Sequence, residues 1–173
     1  MSDWIKKVDF EKISPDFPCG FEGFLPIRAL VESKCAEIPE KQGVYLILTR
    51  NTQMPGFNSD NPVFASGKIS ARTVEDLQKQ WNNFTHVLYI GKAGGPRFST
   101  TLRERLEPYL IDWFDGRYSG HRGGRDIWQI DTPGDLLAAW RVTEDEDPES
   151  CEKDLLYKFT DKYGKFPFAN HRH

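Results

Sequence analysis

Apolar residues fall along this chain in short extended runs separated by helical stripes. Gly43-Val44-Tyr45-Leu46-Ile47-Leu48 is an unbroken β-branched and aromatic run of strand length, the pattern of a buried strand. His86-Val87-Leu88-Tyr89-Ile90 predicts a second strand, ended by the glycine-rich Gly91-Lys92-Ala93-Gly94-Gly95-Pro96, and Leu136 to Thr143 predicts a third. Between the first two strands, Asn51 to Gly67 is rich in Pro, Gly, Asn and Ser and reads as loop. Thr73-Val74-Glu75-Asp76 resembles a capping box and opens a helix to about Phe84. Thr100 or Thr101 starts a helix whose apolar stripe is Leu102, Leu106, Tyr109 and Trp113. A polar, Gly-rich passage from Gly116 to Asp126 leads from there into Ile127-Trp128-Gln129-Ile130. Asp147-Pro148 pairs an N-cap with proline at the first helical position, and that helix runs through Leu155, Leu156, Phe159 and Tyr163 to a stop at Gly164.

Ahead of the first strand, residues 1–38 predict a helix over Asp3–Lys12 and then irregular chain broken by Pro15, Pro18 and Pro26, an arm that packs on the core. Residues 39–173 form the main body, with an insert at about 51–85. The mixed order of strands and helices points to an α+β fold.

Length and charge narrow the function classes. At 173 residues the chain is one domain with room for its own core. A net charge of −3 excludes a histone-like coat on nucleic acid, while leaving room for a locally basic site. Cys19, Cys35 and Cys151 are odd in number and widely spaced, so neither a disulfide framework nor a thiolate zinc site is indicated. Reduced thiols, a start with no secretory signal and no run approaching membrane-spanning length predict a soluble cytoplasmic protein without a membrane partner.

Local charge departs from that average. Tyr89 to Arg125 holds seven basic residues against four acidic ones, with His121 besides, and the acids gather in Glu144-Asp145-Glu146-Asp147. Such a segment suits a phosphate-facing surface or an ordinary solvated face. Two charged residues also break the polarity of their helices. Glu152 heads the Leu155/Leu156/Phe159 stripe, where a carboxylate is costly unless paired or holding a metal; a glutamate favoured by the helix N-terminus is the plainer reading. Arg105 edges the Leu102/Leu106/Tyr109 stripe, either as a functional cation or as an arginine whose stem covers the core; Arg103 flanks the other side. The glycines after the second strand lack Walker and dinucleotide-binding spacing.

Five fragments in order, Gly43-Val44-Tyr45, Tyr89-Ile90-Gly91-Lys92-Ala93, Leu102-x-x-Arg105-Leu106, Glu152-x-x-Leu155-Leu156 and Pro167-x-x-Asn170, resemble the GIY-YIG nuclease domain. The resemblance covers Gly43 to Asn170. It implies a small antiparallel three-stranded sheet flanked by helices and metal-dependent hydrolysis of phosphodiester bonds in DNA. In that reading Tyr45 and Tyr89 stand side by side, and Glu152 binds one Mg²⁺ or Mn²⁺. Arg105 contacts the scissile phosphate, and Asn170 braces the site. Tyr45 becomes the candidate for taking a proton from the attacking water, which an unperturbed phenol near pKa ~10 does only beside a cation. Lys92 is expected as a second cation and Tyr109 as a group orienting water or phosphate, while outside the family pattern Arg103 could replace Arg105, and His121 and Arg125 are candidates for a phosphate-contacting loop. The alternative is a catalytically silent nucleic-acid-binding module on the same fold.

Tyr45 and Tyr89 lie 44 residues apart, where the family joins its strands by a short hairpin, so the insert is a departure that suggests a substrate-binding or lid element. The Gly120–Arg125 stretch has no place in the family pattern. No separate DNA-recognition domain is visible, so targeting falls to the insert, the arm or a partner protein. Cutting both strands of a duplex with one metal site favours a homodimer.

Overall fold

The computed structural model describes residues 1–171. In chain order the elements are α1 (Asp3–Lys6), β1 (Glu22–Pro26), α2 (Ile27–Glu32), β2 (Gly43–Leu48), α3 (Pro62–Ala65), α4 (Val74–Gln80), β3 (Val87–Ala93), α5 (Leu102–Phe114), β4 (Leu137–Val142) and α6 (Pro148–Tyr163). Two 3-10 turns, Arg125–Gln129 and Pro133–Asp135, lead into β4.

The expected α+β class is present, but the sheet has four antiparallel strands, ordered β1-β4-β2-β3, where three were expected. The extra strand comes from the arm. β1 pairs with β4 through a bulge between Gly23 and Leu25, with Gly23 and Phe24 in the left-handed region (φ +90° and +53°). The predicted helix over Asp3–Lys12 closes at Lys6. The Asp9 carboxylate takes the Glu11 backbone N–H at 3.1 Å, a local turn that competes with helix. Helix α4 likewise ends at Gln80, because Trp81 turns extended to give its indole N–H to the Thr52 carbonyl, and Lys165 Nζ donates to the Gln80 and Trp81 carbonyls.

Buried side chains lie on both faces of the sheet. Val44, Leu46 and Leu48 alternate with Tyr45 and Ile47 along β2. The first set packs with Leu155, Leu156 and Phe159 of α6 and with Ile5, Phe10 and Phe21 of the arm. The second packs with Leu102, Leu106, Tyr109 and Trp113 of α5, the stripe read from the sequence. A strand covered on both sides explains the unbroken apolar run at 43–48.

The insert belongs to this second core. Val63, Ile69, Leu77 and Trp81 are buried in it, and Phe57 stacks on Phe168 of the tail at 5.7 Å. β3 is an edge strand, and the tail covers part of its free side. Ala169 N–H donates to the Leu88 carbonyl at 2.8 Å, and the Asn170 amide both accepts from Ile90 N–H and donates to Ile90 carbonyl at 2.9 Å.

Candidate functional site

Beyond Ile90 the edge of β3 is open, and a cleft of about 300 Å³ forms there. Tyr89, Lys92 and Ala93 of the β3 edge, Gly94, Phe98 and Thr100 of the following loop, Arg105 of α5 and Glu152 of α6 line it. A second cavity of about 560 Å³ shares Tyr89 and Glu152 and extends along Arg122, Gly123, Arg125, Asn170 and His171. Glu152 is the one carboxylate lining either cavity, among the described residues.

Local folding rules put these groups together. Thr101 caps α5 with a full capping box, its hydroxyl taking Glu104 N–H while the Glu104 carboxylate takes Thr101 N–H at 2.7 Å. That cap fixes the first turn, which presents Arg105. Asp147 caps α6 by accepting from the N–H groups of Glu149 and Ser150, with Pro148 at the first position. Glu152 follows in the second turn. The antiparallel β2–β3 register sets the tyrosine rings 5.9 Å apart. Tyr45 lies opposite Gly91, and its ring occupies the space a Cβ would fill there, 2.5 Å from where that atom would be.

Burial dominates the electrostatics. It pushes the Glu152 carboxyl up to about 7, and nearby Lys92 and Arg105 pull it only part of the way back. Burial likewise raises Tyr45, with the Arg105 charge next to it offsetting part of the rise, and holds Tyr89 and Tyr109 well above the usual phenol range. All three tyrosines are therefore neutral at pH 7. Tyr45 is 2% exposed. Arg105 makes no ion pair within 4.0 Å among the described residues, whereas Lys92 Nζ sits 2.8 Å from Glu149 Oε2. Glu149, which also pairs with Lys153, is held down at about 2 by these two lysines.

The remaining sequence-named residues divide. Tyr109 donates its hydroxyl to the Gly124 carbonyl at 3.0 Å beneath the Gly120–Arg125 loop, and its ring meets His121 edge-on at 6.4 Å. Gly124 is left-handed (φ +70°), and a Cβ there would stand 2.4 Å from the Tyr109 oxygen; at Gly123 it would stand 2.6 Å from that of Tyr89. The glycines of this loop thus let it close over two tyrosine hydroxyls. Burial and the Arg105 charge push His121 below its ordinary value. Arg103 stands apart. Its guanidinium is tied to the Ala36 and Ile38 carbonyls and to Glu40, so it fastens α5 to the chain ahead of β2 and lines neither cavity. No residue of the insert lines either cavity.

Sequence reading missed a cluster at the rim of the larger cavity. Asp126 is fully buried, with Arg72 Nη1 at 3.0 Å, His171 Nε2 at 2.7 Å and Arg125 Nε at 3.4 Å. Gln129, also fully buried, clamps Arg72 by accepting from its N–H and donating to its carbonyl, both at 2.8 Å. Arg72, Asp126 and His171 come from segments 54 and 45 residues apart, and no spacing rule joins them.

Among the described residues no three His, Cys, Asp or Glu side chains gather to hold a metal. A single carboxylate is nevertheless a donor set that suits Mg²⁺, which retains waters and takes its other ligands from substrate phosphate. The burial of Glu152 with only partial compensation from Lys92 and Arg105 fits a group awaiting a cation. Among the described residues no helix is long and apolar enough to cross a membrane. No family model, no curated protein and no solved structure matches this chain.

Proposed function

We propose that the chain is a metal-dependent endonuclease of the GIY-YIG type, hydrolysing phosphodiester bonds in DNA at the cleft beside β3. One observation carries this reading: a mostly buried carboxylate, Glu152, shares a cleft with the unpaired cation of Arg105 and with Tyr89, against which Tyr45 packs. A half-buried guanidinium without a carboxylate partner is an anion site, and its planar fork matches two phosphate oxygens. Lys92 adds a second positive charge on the same wall.

Glu152 would hold the divalent ion, Mg²⁺ or Mn²⁺, which when bound stabilises charge on the phosphate and the leaving oxygen. Arg105 binds and orients the phosphate from the opposite helix. Tyr45, neutral and enclosed, holds its proton at Oη, so its part in the resting site is to shape the floor beneath Tyr89. Acting as a base would require a phosphate-bound site in which positive charge next to Oη outweighs burial. Asn170 holds β3, and therefore Tyr89 and Lys92, in register with the tail.

The test is cleavage of plasmid and oligonucleotide substrates with Mg²⁺ or Mn²⁺, beside Glu152→Ala. Cutting by the parent chain and none by the variant is the expected result. Equal cutting by both, or none of any DNA by the parent, overturns the reading; salt-sensitive binding without turnover would instead indicate a silent binding module.

A further inference from the structure

The two cavities meet at Tyr89 and Glu152, and their far ends differ in chemistry. At the mouth of the smaller, Phe98 is 67% exposed although it is aromatic. Its backbone is fixed: Phe98 N–H donates to the Gly95 carbonyl at 3.1 Å, and the Phe98 carbonyl accepts from Gln42 Nε2 at 3.2 Å. What sets Phe98 apart from other exposed aromatics is its place: a pinned turn that lines the cleft with Lys92 and Arg105 and holds the ring's face open to it. At the end of the larger cavity lie Arg122 and Arg125. Arg122 makes no ion pair among the described residues. Among the described residues Arg125 engages the buried Asp126 through Nε, and its terminal nitrogens make no hydrogen bond or ion pair there. Asp126 acts as the anchor of this end, holding Arg72, Arg125 and His171 around one carboxylate.

An aromatic face at one end and cations at the other match the two exposed features of an unpaired strand, its bases and its phosphates. In a duplex the bases stack on each other and offer no face to a ring at a cleft mouth. We infer that an unpaired nucleic-acid strand runs along both cavities, stacking a base on Phe98 at one end and laying a phosphate against Arg122 and Arg125 at the other. The inference rests on the nuclease reading for the position of the scissile bond, but not for binding itself. Arg122 and Arg125 then serve a flanking phosphate, distinct from the one facing Arg105.

Binding of labelled single-stranded and duplex oligonucleotides by fluorescence anisotropy, in EDTA so that no turnover occurs, tests it. The single strand should bind more tightly than the duplex. Phe98→Leu should weaken single-strand binding by roughly 5- to 150-fold, the range of one lost base stack, while Phe98→Trp retains it. Duplex binding should not respond to either change. Arg122→Ala and Arg125→Ala should each lower the slope of log affinity against log salt by about 0.7. Duplex binding as tight as single-strand binding, or single-strand binding indifferent to Phe98→Leu, overturns the inference. Circular dichroism checks that the variants fold, which the exposure of Phe98 favours. Failure of the two readings is separable. Selective single-strand binding without metal-dependent cutting removes the nuclease and keeps the track; cutting of duplex that ignores Phe98 does the reverse.

Discussion

Tyr45 and Gly91 face each other across the β2–β3 ladder with no room for a methyl group between them: a Cβ on Gly91 would lie 2.5 Å from the Tyr45 ring. The glycine is therefore the seat of the ring. Gly91→Ala should displace Tyr45 or part the strands, costing about 1–3 kcal/mol as overpacking does. Urea denaturation should show the loss, and cleavage should fall more than stability at working temperature accounts for. A fully stable Gly91→Ala variant would mean that the ring has somewhere else to go.

Local rules made much of this legible. The run at 43–48, the α5 stripe, the Asp147-Pro148 start and the Gly164 stop each encode their element within a few residues, and the structure has all of them. β1 was not legible, because its pairing depends on two left-handed residues and a bulge that break any alternation. Arg105 and Glu152 were visible as charges misplaced on apolar stripes. Asp126 was not, since its burial depends on Arg72 and His171 arriving from distant segments. Arg103 shows the reverse: its flanking position resembled that of Arg105, but the carbonyls of Ala36 and Ile38 consume it.

Arg105 should matter through its fork as well as its charge. Arg105→Lys keeps a cation but loses bidentate contact, so it should remain far below the parent chain, while Arg105→Ala should lower kcat by roughly 10²–10³-fold, as loss of a preorganised charge-stabilising donor does. Single-turnover cleavage at saturating protein isolates this from binding. Near-parental rates for Arg105→Lys would reduce the role to simple electrostatics.

Glu152 should be a residue the fold tolerates at a cost. Its carboxylate is desolvated without a dedicated partner, so Glu152→Gln in chelator at pH 8 should raise stability by roughly 1–3 kcal/mol, or about 2–8 °C in Tm, while abolishing cutting. Differential scanning fluorimetry with EDTA reads the first effect and a gel assay the second. A variant less stable than the parent would show that the carboxylate makes a net favourable contact in the fold.

His121 gives a pH dependence. Burial and Arg105 hold its folded value below the ordinary 6.5, with Asp112 opposing weakly. Above 6.5 the ring is neutral whether the chain is folded or not, and its contribution to stability is complete. As pH falls below 6.5 the unfolded chain takes the proton first, and that contribution is lost until pH passes the folded value. The stability advantage of the parent over His121→Asn should therefore shrink as pH is lowered from 8 to 5, the remaining groups being common to both chains. An advantage that grows toward low pH would require a carboxylate stronger than Asp112 next to the ring.

Asn170 tests whether the tail belongs to the site. Its amide closes both hydrogen bonds of Ile90 on the free edge of β3, and Ala169 N–H donates to the Leu88 carbonyl beside it, so Ala169 and Asn170 cover this part of the edge. Asn170→Ala leaves a backbone donor and acceptor to find water, at about 1–3 kcal/mol. Asn170→Asp separates the two bonds: the carboxylate still accepts from Ile90 N–H but faces the Ile90 carbonyl with an oxygen in place of the N–H₂ donor. Hydrogen exchange at the Ile90 amide should accelerate strongly for Ala and less for Asp. Cleavage should fall in the same order, because Tyr89 and Lys92 lie one and two positions from Ile90, the residue that the amide holds. Equal exchange in all three chains would mean that β3 keeps its place without the tail, and any loss of cleavage would then have to arise in the cavity that Asn170 itself lines.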